Sequence, residues 1–329
     1  MHDLDVIRQL RRRVGRDFDY QMEGDAVVGL SLASDEYVFG GLIRHHSAQE
    51  KHDILLLVSR LKQLRKLDLR RCMLLSTPDA LGDLISLTHL DLGSNMLGEV
   101  PAWVERINDL HYLNLAVNGL ATLPSFLGKF RHIGTLLLHK NKLDEFPDVF
   151  ADSSALRYLN LYFNRMKDIP PFIWNFSTLQ TFTWGVSALT ELPGDIARLH
   201  NLEFLTLVNT KISRLPDAFG ALGKLKATRL HKNRLCELPE TIGQLHRLEQ
   251  MTLYMNQLQT LPASFRQLHR LEKLNLSNNL FQALPEQVAH LPRLSWLAYF
   301  ENPQQMTQPP FPFSGKFLGM RPFNARESR

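Results

Sequence analysis

The sequence has little cysteine, no long apolar run and no large excess of charge of either sign. Two cysteines, Cys72 and Cys236, are too few for the disulfide framework of a small exported domain. No apolar stretch is long enough to cross a bilayer, and the opening residues MHDLDVIRQLRRRVG lack the apolar segment of a signal peptide. A net charge of +5 over 329 residues permits an acidic partner but does not by itself indicate nucleic acid or membrane. These absences predict a cytoplasmic protein that has no membrane partner, although non-classical secretion would leave no trace in the sequence.

Motifs for catalysis and metal binding are missing as well. The sequence contains no CxxC, HExxH, GxSxG or phosphate-cradling glycine loop. Cys236 has no evident base to activate it as a nucleophile. Three histidines, His200, His246 and His269, recur at the same position of the repeat. No cysteine or carboxylate completes a ligand set around them, so a solvated turn is favoured over a metal site. We therefore expect no enzyme, no catalytic residue, no cofactor and no metal.

What the sequence does contain is a repeat of 23 residues without insertion or deletion. Each of the eleven repeats opens on an apolar anchor and follows the pattern LxxLxLxxN, with substitutions at single positions, as in LHYLNLAVN (110–118). The anchors are Leu64, Leu87, Leu110, Ile133, Leu156, Leu179, Leu202, Leu225, Leu248, Leu271 and Leu294. A proline follows fourteen residues after ten of them, at Pro78, Pro101, Pro124, Pro147, Pro170, Pro193, Pro216, Pro239, Pro262 and Pro285.

Each recurring residue type has a physical reason. The LxL pair alternates like a strand, so both leucines enter a core while their neighbours face solvent. The ninth position is asparagine in eight repeats and the small residues Cys72, Ser187 and Thr210 in the others, and a buried amide there can satisfy backbone groups at the strand end. Proline suits a helical or 3₁₀ turn on the return side. Phe182 and Trp184 occupy the LxL places and are predicted to be core.

This pattern resembles the leucine-rich-repeat family in its 23-residue LxxLxLxxNxLxxLPxxI form, and the resemblance covers residues 64–302. It implies an α/β repeat fold: a right-handed solenoid with a concave parallel sheet and convex helical or 3₁₀ turns. Adjacent rungs would lie about 4.8 Å apart at the strands.

Residues 1–63 are predicted to form an amino-terminal cap. Apolar residues at helical spacing predict a helix over 3–14 with Asp3 as its N-cap, and 27–34 and 47–63 predict a degenerate strand and a second helix. DLDVIRQL followed by GLSL resembles the amino-terminal cap of bacterial Roco-type leucine-rich-repeat proteins. No GxxxxGK[ST] motif is present, so their GTPase activity does not carry over.

Residues 303–329 depart from the repeat and are rich in proline and phenylalanine. They are predicted to form either a carboxy-terminal cap, with phenylalanines packed on the last rung, or a docking tail.

Two nearly identical segments, LLHKNKLDEFP (137–147) and RLHKNRLCELP (229–239), lie four repeats apart and indicate duplication of a four-repeat block. Their asparagines, Asn141 and Asn233, occupy the ninth position of the repeat and belong to the row of ninth-position residues, the asparagine ladder. Their histidines and lysines fall where the strand side chains leave the core, and the fold does not require those residue types.

The outward positions of the repeats are the predicted partner-binding surface. The third, fifth, seventh and eighth residues of each repeat point away from the core, and many of them are aromatic or basic, as at protein interfaces. The predicted binding residues are Tyr112, His139, Lys140, Tyr158, Tyr162, Phe163, Phe204, Arg229, His231, Lys232, Tyr254, Trp296 and Phe300. The alternative is that aromatics stand there for sheet packing alone. Lys62, Arg65, Lys66, Arg70 and Arg71 form a separate basic patch, interpreted as a solvated edge.

The sequence thus predicts a non-catalytic intracellular scaffold, with a role in signalling, that binds a protein partner on its concave sheet, with acidic segments of the partner matching the local charge. Two alternatives stay open. One is a binder of an anionic ligand or nucleic acid on the same strip, which steep salt dependence would reveal. The other is a regulatory subunit of a GTPase-type signalling complex, which rests on the resemblance of the cap.

Overall fold

The computed structural model describes residues 2–15, 17–33, 41–304 and 307–319, and the chain divides into two compact units, Met1–Met166 and Lys167–Arg329. In both units, the 23-residue period of the sequence sets the register between neighbouring strands. In the first unit Leu67 pairs with Leu90, and Leu90 pairs with Leu113. In the second, Leu205 pairs with Thr228 and Met251 pairs with Leu274. Each of these paired positions is one repeat from its partner, so equivalent residues of successive repeats form rows across the sheet.

The first unit begins with two helices and a hairpin and continues as a parallel sheet. Its helices are α1 (Asp3–Val14) and α2 (Ala48–Val58), and its strands are β1 (Asp19–Glu23), β2 (Ala26–Ser31), β3 (Lys66–Asp68), β4 (His89–Asp91), β5 (Tyr112–Asn114), β6 (Thr135–Leu137) and β7 (Tyr158–Asn160). Strands β1 and β2 are antiparallel, and each later pair through β7 is parallel. Four 3₁₀ turns, at Asp79–Asp83, Ala102–Arg106, Ser125–Lys129 and Asp148–Phe150, lie between successive strands.

The second unit repeats the same arrangement. Its strands are β8 (Thr181–Gly185), β9 (Phe204–Val208), β10 (Ala227–Arg229), β11 (Gln250–Thr252), β12 (Lys273–Asn275), β13 (Trp296–Ala298) and β14 (Lys316–Leu318), and each pairs in parallel with the next. Its 3₁₀ turns are Pro171–Asn175, Gly194–Arg198, Asp217–Ala221, Glu240–Gln244, Ala263–Gln267 and Glu286–His290. The parallel sheet with 3₁₀ turns that the repeat pattern predicted is therefore confirmed.

The core of each rung consists of the LxL pair and the apolar residues of the turn. Phe182 and Trp184 are buried in the LxL places, as predicted. Phe265 and Leu268, which follow Pro262 at intervals of three, are also buried. Pro262 is the N-cap of its turn, with φ −65° and ψ 155°, so proline ends the extended approach and the turn begins one residue later.

The ninth-position asparagines are buried and join neighbouring repeats. The Asn141 amide oxygen accepts from the backbone N–H groups of Asn118 and Leu120, both at 3.0 Å. Its amide nitrogen donates to the carbonyl oxygens of Leu115 and Leu138, at 3.0 and 2.9 Å. The side chain thus satisfies four backbone groups that leave the strands, which confirms the predicted role.

The amino-terminal region agrees with most of the predicted elements and corrects three details. Helix α1 has its predicted bounds, but its N-cap is His2, and the Asp3 carboxylate instead accepts from the backbone N–H of Val27 at 2.9 Å. Helix α2 begins after Ser47, which forms a capping box with Glu50, and it ends at Val58, short of residue 63. Strand β2 was predicted, and its partner β1 was missed because the alternation in DYQME is short and consists of only Tyr20 and Met22.

In the carboxy-terminal segment, β14 continues the sheet beside β13, and Leu297 pairs with Phe317. Phe311, Phe313 and Phe317 are half-buried. Phe323, which was predicted to contribute to a cap, lies outside the described residues.

Candidate functional site

The candidate site is the outward face of the sheet, meaning the third, fifth, seventh and eighth residues of each repeat. The two leucines of each LxL pair hold the strand by burial, which directs the alternate residues to the other side. The eighth residue has a left-handed backbone in all eleven repeats, with φ between 52° and 59°. Each rung therefore presents its outward side chains from a fixed backbone.

In the first unit, the aromatic part of the face is Tyr158, Tyr162 and Phe163. Tyr158 and Phe163 are 44% and 51% exposed. Tyr162 is half-buried, and its ring centroid lies 6.1 Å from that of Phe163. His139 is half-buried one repeat earlier, beside the exposed Lys140.

Tyr112 lies on the same face, but its hydroxyl already has a partner. It donates to Oδ2 of Asp91 at 3.0 Å, and the amide of Asn114 donates to the same oxygen at 3.1 Å. Burial raises the pKa of Asp91, and burial together with the Asp91 charge raises the pKa of Tyr112. Tyr112 therefore has a structural task that its sequence position did not reveal.

The predicted basic patch is not uniformly basic. The Arg70 guanidinium holds the Asp68 carboxylate at 2.7–3.1 Å and lies 3.5 Å from Asp91, and its hydrogen bond to Asp68 raises the pKa of Arg70. Lys62 and Arg65 have acidic partners too, in Asp83 and Glu23. A depression of about 280 Å³ lies beside the Asp68–Arg70 pair, with walls from β1 to β5. The sequence analysis missed these acids: Asp68 lies in the same repeat as Arg70, Asp91 lies in the next repeat, and Glu23 lies in the unpredicted strand β1.

In the second unit, the face combines aromatic, apolar and basic side chains. Phe204 and Met255 are 44% and 42% exposed. Arg229 and Lys232 are exposed, and neither forms an ion pair within the described residues. Trp296 and Phe300 are half-buried near β14.

His231 stacks on Tyr254 at the centre of this group. The ring centroids are 4.3 Å apart and the planes differ by 13°. Burial, followed by the charges of Lys232 and Arg229, lowers the pKa of His231 to about 4. The ring is thus neutral at neutral pH, and the positive charge of the group belongs to Arg229 and Lys232.

The two His-Lys-Asn segments, 139–141 and 231–233, share this lowered histidine pKa. Burial and then the charge of Lys140 lower the pKa of His139. The Nδ1 atoms of His139 and His231 are both buried and without a hydrogen-bond partner in the part of the chain that the structure describes. The structure therefore places two neutral, half-buried imidazoles beside exposed lysines.

Neither cysteine is arranged for nucleophilic chemistry. Cys72 is buried, and this burial raises the pKa of its thiol to about 12. The exposed Cys236 has the carbonyl oxygen of Ser213 as its hydrogen-bond partner, at 3.5 Å. Among the described helices, none combines the length and the apolar character that a bilayer span requires.

Comparisons with known proteins agree with the repeat architecture. A family model for the leucine rich repeat matches residues 224–281. A search of curated proteins gives no match. A leucine-rich-repeat protein of Leptospira interrogans is 25% identical in sequence, with 75% of each chain covered and a TM-score of 0.62.

Two further solved structures cover more of the chain. An internalin from Listeria monocytogenes is 18% identical over 91% of this chain and 82% of its own, with a TM-score of 0.67. The Arabidopsis receptor kinase HAESA, solved with the peptide hormone IDA and the co-receptor SERK1, is 24% identical over 91% of this chain and 53% of its own, with a TM-score of 0.72. At these identities the likeness concerns the fold. The repeat register, the asparagine ladder and these matches together show that the chain has a leucine-rich-repeat fold.

Proposed function

We propose that the chain is a non-catalytic recognition scaffold that binds a protein or peptide partner on the outward face of its sheet. Leucine-rich repeats commonly serve protein recognition, and HAESA is a solved structure of this fold with a peptide hormone bound. The proposal rests above all on one group in the second unit. Arg229, His231, Lys232 and Tyr254 hold exposed positive charge and a stacked aromatic pair on adjacent rungs.

The rigidity of the face favours binding. Each rung is fixed by backbone pairing and by buried asparagines such as Asn256, whose amide bonds to carbonyl oxygens of Leu230 and Leu253. Side chains that are already ordered lose little conformational entropy when a partner docks. Tyrosine, phenylalanine and arginine are also the residue types that dominate binding energy at protein interfaces.

The charge of the second unit indicates the chemistry of the partner. Because Arg229 and Lys232 lack acidic partners within the described residues, an incoming carboxylate would not have to displace an existing ion pair. The exposed ring of Phe204 lies one repeat before Arg229. We expect the bound segment to place acidic residues near Arg229 and Lys232 and an apolar side chain near Phe204.

The test is affinity capture from the native host with four forms of the protein, followed by quantitative mass spectrometry. The first is wild type; the second carries Tyr158→Ser and Tyr162→Ser; the third carries His231→Ser and Tyr254→Ser. The matched control carries His200→Ser, His246→Ser and His269→Ser, which change exposed side chains away from the outward face. We expect a partner to be retained by the control and lost at least tenfold by one or both face variants, since interface aromatics each contribute about 1–4 kcal/mol.

Equal capture by all four forms would contradict binding on this face. A captured partner would then be titrated at increasing salt. Binding of a protein partner should weaken moderately as salt is added. A steep linear fall of log affinity with log salt concentration would instead favour the anionic-ligand or nucleic-acid alternative.

A further inference from the structure

A cluster of two histidines and one aspartate lies apart from the candidate face, where the chain enters β5 and β6. His111 Nε2 is 3.2 Å from Oδ2 of Asp109. His132 Nδ1 is 3.0 Å from Oδ1 and 3.1 Å from Oδ2 of the same carboxylate. The two imidazoles are edge to face, with centroids 6.0 Å apart.

The repeat itself brings the three residues together. Asp109 and His132 each immediately precede the anchor of a repeat, so the 23-residue register makes them neighbours. His111 is the second residue of the repeat that Asp109 precedes, and its backbone N–H is fixed by a bond to the carbonyl oxygen of Thr88 at 2.8 Å. In the next repeat the corresponding positions are Ala155 and Gly134, so small residues flank the cluster.

The separations suit a bound transition-metal ion. A metal with ligand bonds of about 2.0–2.1 Å places its tetrahedral donor atoms about 3.3 Å apart. Each histidine nitrogen lies within 3.2 Å of an Asp109 oxygen, and one donor atom from each residue lies within 4.8 Å of both others. Small rotations of exposed side chains would bring the three donors around a common centre.

The local charge also suits a cation. The Asp109 carboxylate lies between the two imidazoles and is the acidic member of the cluster. The nearby Arg131 guanidinium is bound to Asp152 at 3.1 Å. The fold does not call for this combination, because the equivalent positions one repeat earlier hold Ser86 and Thr88.

We propose that Asp109, His111 and His132 form a binding site for a divalent transition-metal ion of the zinc class. Two imidazole nitrogens and one carboxylate oxygen are the ligands that such ions take in proteins. The ion would replace the hydrogen bonds within the cluster: each neutral ring changes tautomer, so that its proton moves from the nitrogen facing Asp109 to the other nitrogen, and the freed lone pair binds the metal. Three protein ligands leave at least one coordination position for water or for a group from another molecule.

The test is calorimetric titration of the untagged full chain with zinc chloride, together with the visible spectrum of the protein with cobalt(II). The variants are His111→Ala, His132→Ala and Asp109→Asn. The control is His246→Ala with His269→Ala, which removes two exposed histidines on adjacent rungs and leaves the cluster intact. Thermal unfolding of each form without metal verifies that the fold is kept.

We expect wild type and the control to bind one equivalent and to show the same cobalt spectrum. Each ligand variant should bind at least about tenfold more weakly and lose that spectrum, because even removing a supporting contact to a metal ligand costs about 10–100-fold. Absence of binding by wild type, or equal affinity in wild type and the His111→Ala and His132→Ala variants, would show that the three residues form only a hydrogen-bonded surface cluster.

Discussion

At the scale of single residues, the backbone of the eighth residue is left-handed in every repeat, which is a strained conformation for an L-residue. The eleven residues are Arg71, Ser94, Val117, Lys140, Phe163, Val186, Asn209, Lys232, Met255, Asn278 and Glu301, and none is glycine. A left-handed backbone costs an ordinary L-residue about 1–2 kcal/mol. The conformation persists because the backbone N–H there bonds to the next repeat, as from Val117 to the carbonyl oxygen of His139 at 2.9 Å.

Val117→Asn should therefore stabilise the protein. Valine is β-branched and disfavours φ of 56°, whereas asparagine adopts this region more readily. Because Val117 is exposed, little burial is lost, and we expect the free energy of unfolding to rise by about 0.5–1 kcal/mol. Urea unfolding measures the change. The reciprocal substitution Asn209→Val, at the same repeat position, should lower stability by a similar amount, and a loss with Val117→Asn would refute the strain.

At the scale of the rung, the asparagine ladder contributes more to the stability of the fold than the polar character of its side chains suggests. Asn141 satisfies two N–H groups and two carbonyl groups that the LxL strand and the following turn leave without partners. Each such buried group costs about 1–3 kcal/mol if it is left unsatisfied. The rung is therefore held by burial on its leucine side and by asparagine amides where the strand ends, since the carbonyl oxygens of Leu115 and Leu138 also accept from Asn118 and Asn164.

Asn141→Ala should destabilise the protein by about 2–4 kcal/mol, since water can replace only part of the four lost bonds. Asn141→Asp should also destabilise, because a carboxylate cannot donate to the carbonyl oxygens of Leu115 and Leu138. Thr210→Ala is the comparison, because it removes a short side chain at the same repeat position and should cost less. Urea denaturation of the three variants gives the order, and an Asn141→Ala cost no larger than that of Thr210→Ala would contradict the ladder argument.

Much of this rung architecture could be predicted from the sequence. Leucine, asparagine and proline recur in fixed phase, and each has one physical role, so strands, turns and ladder followed from the pattern. The eighth position could not be found this way, because its backbone angle is imposed by bonding between repeats and its residues share no chemical type.

The candidate site was predictable in position and less so in character. Their positions within the repeat placed Tyr158, Phe163 and Phe204 on the outward face, and they are exposed there. It could not show that Tyr112 would be engaged by Asp91, since that bond joins different repeats and depends on side-chain rotamers. Asp109 and His132 did carry a usable signal: both directly precede an anchor, so the register alone makes them neighbours.

At the scale of the whole molecule, stability is organised along the series of repeats. In such an array each repeat contacts mainly its neighbours, so stability is close to a sum of local terms. An end rung has one neighbour fewer and needs cover for its core. In the first unit, α1 packs on α2 and β2, and its Val6, Ile7 and Leu10 are buried. We infer that α1 is the cover for the first rungs.

Leu10→Ala tests this role by hydrogen exchange across the first unit. Deleting a fully buried leucine side chain costs about 2–5 kcal/mol, and nearest-neighbour coupling confines that loss to the end of the array. We therefore expect faster exchange in β1, β2 and β3, with β6 and β7 protected as in wild type. Leu136→Ala, at an equally buried position in β6, should show the reverse pattern. If Leu10→Ala instead accelerated exchange evenly through β7, the first unit would unfold as one cooperative body, and α1 would be part of a common core rather than a local cover.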